Sequence, residues 1–581
     1  MRRNAEVASL LEEYADLLAA QDVGYKPKAY RRAAESIRDH PYDIEDVATD
    51  DPDAVGEIPD VGESIAEKVF EILDEGTFER LEEARAEMPV AMAELTAVEG
   101  VGPKTVGDLY RELDVRDLDD LEAAAEAGEI REVSGYGEKS EQNILDGIAF
   151  ARQSQERELL GDARPVGEEA LAFFEAIPEA GRCELAGSLR RWKPTIGDID
   201  VLVEVEDEDR QAVVDAFTDW DQASDVIEAG TDKASVRSNG QRVDLRVIAP
   251  AEFGSALQYF TGSKEHNIRL RNYAIDRDFK INEYGIFDVS EVDDPDAGQR
   301  VGERVGGETE DEIYTALDLP PIPPEMREDR GEIRAAASGD LPELIEEGAV
   351  RGDLHLHTEW SDGEYTIEQM AEAAAEFGHD YISVSDHATG PGMVGGVGLD
   401  DEDLREQLAE IRDLEADLPV TVFAGVEANI DVEGTISVGD DVLEELDCVV
   451  ASPHSGLDGD ATDRLVAAVS HPSVDILGHP SGRILNGRPG LEFDVEAVAA
   501  AAVEHGTALE INSNPHRLDL WGSAVKQAVE QGATIAIDTD AHSPGEYANV
   551  RYGVHTARRG WAEAADVLNA RDAEGVREFL H

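Results

Sequence analysis

Polar side chains of the kinds that bind metal ions recur at the ends of seven short apolar runs in the C-terminal part of the chain. Stretches with helical periodicity, such as Glu368–Phe377 and Leu465–Val469, separate these runs. The order is therefore strand, helix, strand, and the carboxyl ends of parallel strands meet on one face of a (β/α) barrel. We predict an active site on that face. The runs are Gly352–His357, Tyr381–His387, Thr421–Glu427, Cys448–His454, Asp475–His479, Ala508–Asn514 and Thr534–His542.

Nine His, Asp and Glu residues at these strand ends form a candidate metal centre. His355 and His357 lie two residues apart, so on a strand both side chains point to one face. An isolated histidine at a strand end is usually a hydrogen-bonded structural residue, but coincidence at six strand ends is improbable. Nine ligands exceed what one ion uses, and imidazole with carboxylate suits Zn²⁺ or Mn²⁺. The nine are His355, His357, Asp362, His387, Glu427, His454, His479, Asp540 and His542.

Three further carboxylates predict a second, separate site. Asp198 and Asp200 stand at the head of an alternating strand and face one side, and Asp244 lies within another strand-like segment. Three acids on neighbouring strands suit two-metal phosphoryl transfer, in which one ion activates a hydroxyl and the other holds a triphosphate. The preceding segment Leu185–Arg191 brings the Ser188 hydroxyl, a backbone N–H and guanidinium groups to phosphate oxygens.

Three glycine-containing turns lie between apolar periodic segments near the N-terminus, which is the layout of helix-hairpin-helix. A Gly-x-Gly turn presents backbone N–H groups at a helix N-terminus, where they bind a phosphate without reading a base. Such a turn also serves as a plain helix linker, but three in one stretch favour contact with a nucleic acid backbone. The turns are Ile58–Gly62, Val98–Lys104 and Val133–Lys139.

Composition limits the class of protein. The chain of 581 residues is long enough for three or more domains. Cys183 and Cys448 cannot build a disulfide framework, and no apolar run has membrane-spanning length, so we predict a cytoplasmic protein without a membrane partner. The net charge of −80 is spread over all segments, which indicates a halophilic archaeon with a salt-rich cytoplasm. Because the Debye length in molar salt is ~3 Å, this acidity does not exclude DNA as a partner.

Together the motifs resemble the family X DNA polymerases of bacteria and archaea that carry a C-terminal polymerase-and-histidinol-phosphatase (PHP) domain. The resemblance implies a multidomain α/β protein with an all-α helix-hairpin-helix domain (residues 1–152), an α+β nucleotidyltransferase palm with fingers (153–319), a linker (320–350) and a distorted (β/α)7 PHP barrel (351–581). The matching segments are Ile58–Val69, Leu185–Arg191, Gly197–Val203, Tyr259–Arg271, Asp353–Thr358, Ser385–His387, Gly478–Pro480 and Asp538–His542.

The resemblance implies roles for the palm residues. Asp198, Asp200 and Asp244 are the implied catalytic carboxylates, with Mg²⁺ or Mn²⁺ as the ion, and the turn that begins at Tyr259 would lie against the sugar and disfavour ribose. Trp192 stands where many relatives have glycine. The implied nucleotide-binding residues are Gly187, Ser188, Arg191, Tyr259, Phe260, Gly262, Asn267 and Arg271.

The resemblance also implies roles for the N-terminal residues. Lys68 falls on the Schiff-base lysine that eliminates a 5′-deoxyribose phosphate, and such a nucleophile must be neutral to attack. The chain departs from the family at Asp60 and Ser64, where relatives have glycine and a phosphate-binding lysine. The implied DNA-contacting residues are Lys26, Tyr30, Gly62, Gly100, Gly102, Lys104, Gly135 and Gly137.

For the barrel, the resemblance implies up to three ions of Zn²⁺ or Mn²⁺. One ion would be held by His355, His357, Glu427 and Asp540, a second by Glu427, His454 and His479, and a third by Asp362, His387 and His542.

We therefore expect a monomeric repair polymerase that fills short gaps in gapped or nicked DNA from dNTPs. Its barrel would be a metal-dependent 3′–5′ exonuclease, and a 5′-deoxyribose-phosphate lyase would accompany them. One alternative is a PHP phosphoesterase for small molecules with a front half that only binds DNA. Another is a template-independent or RNA-directed nucleotidyltransferase.

Overall fold

The computed structural model describes residues 4–21, 23, 26–38, 44, 47–48, 54–58, 61–96, 98, 100–155, 157–295, 297–390 and 398–580. The chain folds into two compact units, one formed by Met1–Glu156 and Asn486–Pro489 and the other by Arg157–Leu485 and Gly490–His581. Within the described ranges, none of the helices is both long and apolar enough to cross a bilayer.

The first unit is helical. Helices α3, α6 and α8 each begin one residue after a glycine of a predicted turn, because glycine leaves the helix N-terminus open and bears no side chain there. The buried faces of the helices form one apolar core. Asp60 and Pro59 of the first turn lie outside the described residues. The helices are α1 (Asn4–Ala20), α2 (Lys26–Arg38), α3 (Glu63–Glu75), α4 (Glu79–Glu87), α5 (Met92–Thr96), α6 (Pro103–Leu113), α7 (Leu118–Glu126) and α8 (Glu138–Gln155).

The second unit begins with the palm. A five-stranded sheet has the order β2-β4-β7-β6-β5, and its central pair, β4 and β7, runs parallel. The strands are β1 (Glu158–Leu159), β2 (Cys183–Leu185), β3 (Thr195–Ile196), β4 (Ile199–Glu204), β5 (Asp225–Ala229), β6 (Lys233–Ser238) and β7 (Gln241–Ile248). The helices are α9 (Leu160–Glu175), α10 (Gly187–Arg190), α11 (Arg210–Thr218), α12 (Phe253–Thr261) and α13 (Lys264–Ile275).

A small antiparallel sheet and a packed connection follow the palm helices. Residues 320–350, which we expected to form a linker, contain a helix and bury the apolar side chains of Ile322, Met326 and Ile333. This segment is therefore part of the folded core. The elements are β8 (Phe279–Asn282), β9 (Gly285–Asp288), β10 (Glu303–Gly306), α14 (Glu310–Ala316) and α15 (Glu332–Ser338).

The C-terminal barrel has seven parallel strands in the order of the chain. A bridge between Leu356 and Ala541 joins the first strand to the segment after the last. The strands are buried on both faces, which explains their continuous apolar runs. They are β11 (Gly352–Leu356), β12 (Tyr381–Val384), β13 (Thr421–Asn429), β14 (Cys448–Ser452), β15 (Ile476–Leu477), β16 (Ala508–Asn512) and β17 (Ile535–Asp538).

Helices cover the barrel, and local sequence sets their ends. Thr366 and Asp400 form capping boxes that begin two of them, and Gly378 ends one in a left-handed conformation. The predicted fold class is confirmed. The helices are α16 (Ile367–Phe377), α17 (Asp401–Leu414), α18 (Asp440–Leu443), α19 (Thr462–Val469), α20 (Val495–His505), α21 (Gly522–Glu530), α22 (Val550–Arg559) and α23 (Ala573–Arg577).

Short 3-10 turns complete the described chain. They are Ala54–Glu57, Ile130–Glu132, Pro250–Glu252, Pro324–Met326, Glu347–Ala349, Pro544–Asn549, Ala564–Asp566 and Leu568–Ala570.

Palm and barrel meet along helix α22, and we call this contact the palm–barrel junction. The ring of Trp192 stacks on His555 with centroids 3.5 Å apart and planes 5° apart. The guanidinium of Arg164 lies 4.0 Å from the Trp192 ring centroid. Trp192 adopts φ +51°, a left-handed conformation that favours glycine, so packing against α22 stabilises the conformation here.

Two buried carboxylates carry the charged part of the junction. Glu325 accepts hydrogen bonds from His555 at 2.8 Å and Arg558 at 2.7 Å. Glu328 lies 3.0 Å from Arg191 and 3.3 Å from Arg559. Burial raises the pKa of each carboxyl, but these cations outweigh burial and hold both pKa values at about 2.

Candidate active sites and metal centre

The palm brings its three predicted carboxylates together. Strand β4 pairs with β7 in a register that places Asp200 directly beside Asp244, and Asp198 immediately precedes β4. One oxygen from each of the three lies within 4.8 Å of the others. Asp200 and Asp244 have side-chain exposures of 16% and 13%, so the cluster has a buried base and an open side at Asp198. This arrangement fits divalent ions bound by oxygen ligands.

The electrostatics of this cluster show what an ion would change. Burial and the neighbouring Asp198 raise the pKa of Asp200 to about 7, against the opposing effect of Arg246. Asp244 accepts a hydrogen bond from Arg242 at 2.7 Å. Like charges held this close need a cation, and a divalent ion would favour the ionised form of all three carboxylates.

Gly187 joins the predicted phosphate loop to the carboxylates. Its φ is +59°, and a Cβ at this position would collide with the carboxylate oxygen Oδ2 of Asp200. Ser188 follows it in the first turn of α10, directly after β2. A side chain at residue 187 would therefore displace either the loop or the carboxylate of Asp200.

The segment that we predict to bind the nucleotide differs from our expectation in its local structure. We expected a Tyr-Phe-Thr-Gly turn, but Tyr259 and Phe260 belong to helix α12, and the chain turns only at Gly262 with φ +71°. Helical packing thus sets the orientation of both aromatic rings. Asn267 donates to the Tyr259 carbonyl at 2.7 Å, and Arg271 donates to the Asn267 carbonyl at 3.3 Å.

Arg191 is already engaged in this structure. Its guanidinium donates hydrogen bonds to Glu328 and to the carbonyl of Thr261. The same guanidinium lies 3.0 Å from the position that a Cβ on Gly262 would occupy. The predicted phosphate-binding arginine is therefore held by the palm–barrel junction.

All nine predicted barrel residues converge on one centre, with Glu427 in the middle. Four histidines approach its two oxygens, and Asp362 and Asp540 lie close to ring nitrogens of His357, His387 and His542. The Glu427 distances are 2.5 Å to His387, 2.9 Å to His479, 3.2 Å to His454 and 3.4 Å to His355. His357 lies 2.9 Å from Asp540, and Asp362 lies 3.3 Å from His542 and 3.4 Å from His387.

The chemistry of these donors fits metal ions. Among the described residues, several of the buried ring nitrogens and both oxygens of Glu427 have no directed hydrogen bond, although they face one another. Burial disfavours the charged form of Glu427, yet His454, His387 and His355 hold its pKa well below the usual range. Unpaired buried donors and acceptors are costly, and coordination to a shared cation would satisfy them. The unpartnered nitrogens that face the centre belong to His355, His357 and His387, whereas His479 faces Glu427 with Nε2 and its unpartnered nitrogen is Nδ1.

The ligand atoms group differently from the predicted sets. His454 lies with His387 and Glu427, and His479 lies with His355 and Glu427, whereas we had placed both histidines in one set. The other groups are His355, His357 and Asp540, and His357, Asp362, His387 and His542.

Sequence reasoning missed the residues that orient the ligands. Glu510 lies 2.6 Å from Nδ1 of His355 and is fully buried. Asn512 donates to Asp540 at 3.0 Å, and Asn429 lies 2.8 Å from Nδ1 of His454. Such partners fix the ring orientation and tautomer of a ligating histidine. The sequence signal that could have identified two of these residues is the spacing of Glu510 and Asn512, which lie two positions apart on strand β16.

The predicted lyase residues Lys68 and Tyr30 lie close together in the first unit. Lys68 is buried, its Nζ donates to the Ser64 carbonyl at 2.7 Å, and it lies 5.8 Å from the Tyr30 ring centroid. Lys26 is exposed. The exposed turn glycines have no heavy atom within 4 Å of a Cβ position, which leaves room for a backbone to approach, and Lys104 is exposed beside them. These glycines are Gly62, Gly100, Gly102, Gly135 and Gly137.

Comparisons with known proteins cover each part of the chain. Four families match: a helix-hairpin-helix domain (residues 2–78), a SAM-like helix-hairpin-helix tandem (92–149), the DNA polymerase beta thumb (256–328) and the PHP domain (353–514). The barrel alone is similar to a probable phosphatase of Thermoanaerobacter sp. strain X514, with 31% identity over 39% of this chain and 93% of that protein.

The similarity also extends over the full length. The chain is 35% identical over 587 residues to the DNA polymerase/3′-5′ exonuclease PolX of Bacillus subtilis strain 168, covering 99% of each protein. With the helix-hairpin-helix, thumb and PHP matches in the same order, the chain belongs to the PolX family, the family X polymerases with a C-terminal PHP domain.

Proposed function

We propose that this protein is a DNA-directed DNA polymerase with a metal-dependent 3′–5′ exonuclease in its barrel. The observation that carries the proposal is the register of β4 and β7, which sets Asp200 beside Asp244 while Asp198 stands open to a substrate. The nine-residue centre of the barrel supports the second activity. Full-length similarity to a protein named for both activities supports the pair.

In the polymerase, Asp198, Asp200 and Asp244 would hold Mg²⁺ or Mn²⁺. The bound ions would lower the pKa of a 3′ hydroxyl and neutralise the triphosphate. Ser188 and the backbone of α10 would orient the phosphates, and Gly187 allows that loop to lie against Asp200. Tyr259 and Phe260 would form a wall against the sugar, so that dNTPs are preferred. Asn267 and Arg271 would lie beside these two residues.

In the barrel, the nine residues would hold up to three ions of Zn²⁺ or Mn²⁺, which would supply an activated water and a Lewis acid for phosphodiester hydrolysis. Glu510 and Asn429 would fix the tautomers of His355 and His454. Burial of the centre keeps its carboxylates and imidazoles aligned at the strand ends.

The turns of the first unit would bind the backbone of gapped or nicked DNA through exposed amides and Lys104. We also propose that the protein acts as a monomer in DNA repair, in the cytoplasm of a halophilic organism. The dispersed net charge of −80 supports the assignment to a salt-rich cell.

A pair of double variants tests the two activities separately. Asp198→Ala with Asp200→Ala should abolish extension of a one-nucleotide-gapped duplex, tested with each dNTP and Mn²⁺ in KCl, yet leave removal of 3′ nucleotides. Asp207→Ala with Glu208→Ala makes the same change of charge on the exposed palm surface and should leave both activities intact. Gap filling by the first variant would refute the palm assignment.

The converse variant is His355→Ala with His357→Ala, which should lose nuclease activity and bound metal but extend primers. His471→Ala with His505→Ala removes two barrel histidines outside the centre and serves as its control. A barrel that hydrolyses small phosphate esters but not DNA ends would favour the alternative phosphoesterase, since relatives matched by the barrel alone are named probable phosphatases.

The lyase belongs to the same proposal and rests on Lys68 and its proximity to Tyr30. Borohydride reduction on an incised abasic duplex should trap a covalent adduct with the protein, and Lys68→Ala should form none. Lys139→Ala is the control on another hairpin. The absence of an adduct with the unchanged protein would show that the departures at Asp60 and Ser64 accompany a lost activity.

A further inference from the structure

A cavity of about 160 Å³ lies at the palm–barrel junction, and four of its ten described lining residues are cationic. Lys193 comes from the palm, Arg330 from the connection, and Arg483 and Arg559 from the barrel. None of the described residues that line it is acidic. We call this space the junction cavity. In a chain with a net charge of −80, such a concentration of positive charge calls for a physical reason.

The carboxylates near the junction cavity do not balance its cations. Lys193 and Arg559 share the single carboxylate Glu328, at 3.5 Å and 3.3 Å, and Arg191 takes the same carboxylate. Three cations therefore divide one negative charge between them.

The other two arginines have no carboxylate within ion-pair distance in the described parts of the chain. Arg483 donates to the carbonyls of Arg517 and Leu518, and Arg330 donates only to the Arg559 carbonyl, at 3.4 Å. Asp519 acts on Arg483 from farther away and is hydrogen bonded to Ser481. A carbonyl satisfies a donor but does not neutralise a guanidinium, so among the described residues neither arginine is paired with a carboxylate at contact distance, and Arg483 has one farther away.

Helix α21 adds partial positive charge at the same place. Gly522 and Ser523, the first two residues of this nine-residue helix, line the cavity, and no side chain caps the helix at Trp521. The first amide groups of an α-helix have no acceptor within the helix, and the helix dipole favours an anion there. The uncapped terminus and the unpaired arginines thus point to the same kind of ligand.

The titration behaviour of the cations agrees with this geometry. Burial lowers the pKa of Lys193, and Arg559 and Arg191 lower it further against the effect of Glu328. Burial and the nearby Arg330 and Arg191 lower the pKa of Arg559 to about 10. Mutual repulsion of this kind would be relieved by a bound anion.

We propose that the junction cavity is a binding site for a compact phosphoryl anion, inorganic phosphate or diphosphate, held by Arg330, Arg483, Lys193, Arg559 and the N-terminus of α21. Arginine forks match the oxygens of phosphate in a bidentate manner. The volume suits an anion of this size, because pockets for larger organic ligands are ~300 Å³ or more.

Two sources could supply this phosphoryl group. Nucleotidyl transfer releases diphosphate, and DNA carries terminal phosphates. The link to diphosphate as a reaction product rests on the proposed function, whereas the binding itself does not. Because Lys193 and Arg559 share Glu328 with Arg191, an anion here would also change the charge balance at the predicted phosphate loop.

The test is a ligand-dependent thermal shift of the full-length protein in ~1 M KCl, where surface charges are screened but buried ones less so. Inorganic diphosphate and phosphate are titrated without added divalent ions, so that no metal–diphosphate complex occupies the palm. The melting temperature should rise with either anion. Arg330→Gln and Arg483→Gln should each weaken binding at least tenfold, and Arg405→Gln, whose partners are Asp441 and Glu445 on the barrel surface, should not.

A second pair of variants guards against loss of folding. Ser523→Asp places a carboxylate at the helix N-terminus inside the cavity, where it should raise the melting temperature by itself and abolish the response to diphosphate. Ser523→Asn, of similar size and neutral, should keep the response. A response that survives Ser523→Asp, or an unchanged protein that responds to neither anion nor to a 5′-phosphorylated end, would overturn the proposal.

An oligonucleotide with a 5′ phosphate, compared with the same strand bearing a 5′ hydroxyl, separates the sources. A preference for the phosphorylated strand that Arg483→Gln removes, without a response to diphosphate, would support the anion site and assign it to DNA ends. Binding is measured without polymerisation, so a protein that binds diphosphate but extends no primer would refute the proposed function alone.

Discussion

Replacing Glu328 by Gln should lower the free energy of unfolding of the second unit by about 3 kcal/mol at neutral pH. The carboxylate has a side-chain exposure of 11% and is shared by Arg191, Lys193 and Arg559. Its pKa falls from 4.5 to about 2 because the three cations outweigh burial. At roughly 1.4 kcal/mol per pKa unit, this difference corresponds to about 3 kcal/mol. Removing one partner from a buried charge cluster costs ~3–5 kcal/mol, which agrees in size.

The pH dependence of this loss has a definite sign. A carboxyl whose pKa is lower in the folded state stabilises the protein above the unfolded pKa, and the contribution disappears as pH falls towards the folded pKa. The difference between the unchanged protein and Glu328→Gln should therefore be complete above pH 4.5 and shrink towards pH 2.

Urea unfolding followed by tryptophan fluorescence, at neutral pH and along an acid series, measures both quantities. Glu346→Gln is a matched control, because Glu346 also bonds to helix α22, through Arg558, but its side chain is 82% exposed. Exposed pairs contribute ~0.2–1 kcal/mol, so this variant should lose little stability. A loss below ~1 kcal/mol for Glu328→Gln, or a loss independent of pH, would refute the assignment of Glu328 as the shared junction charge.

Three further outcomes follow from the site and the composition. Gly187→Ala should slow extension about 100-fold, because the added Cβ meets Asp200 and a small displacement of reacting groups lowers a rate by about this factor. Gly240→Ala is the control, because Gly240 is also left-handed but has open space around it. Equal extension rates for the two variants would contradict the close approach of Gly187 to Asp200. Glu510→Gln should weaken metal binding ~10–100-fold while extension continues, as measured by metal per chain, and full occupancy would exclude its role at His355. Polymerase and nuclease activity should both rise to a maximum near or above ~1 M KCl, because salt screens the dispersed carboxylates. If both activities instead peak below ~0.2 M KCl and decline steadily above it, loss of DNA affinity through counterion release dominates.

The barrel and the convergence of its nine candidate ligands could be predicted from the sequence because both have local signatures. Each strand is a short apolar run that ends in a polar residue, and its period and length appear in the sequence itself. The same holds for Asp198 and Asp200, whose spacing puts them on one face. The positions of such residues follow from element type alone.

Other features depend on contacts that no local pattern encodes. Glu328 and Arg559 meet although 231 positions separate them, and a charged residue on a connection gives no sign of its partner. The grouping of His454 and His479 around Glu427 depends on ring orientations, which packing determines. Tyr259 and Phe260 were expected in a turn, but the apolar face of α12 is buried and extends the helix through them.

Helix α22 begins eight residues after His542 and ends at Arg559, which donates to the Arg191 carbonyl, so a helix of about 15 Å connects the segment that carries Asp540 and His542 to Arg191 of the palm. A rotation of the palm against the barrel would separate Trp192 from His555 and would break the ion pairs of Glu325 and Glu328 with Arg558 and Arg559. For the two proposed reactions, the junction therefore holds the palm and the barrel in one fixed arrangement. A DNA end that serves both proposed reactions would have to move from one centre to the other, because the junction does not let the centres approach each other.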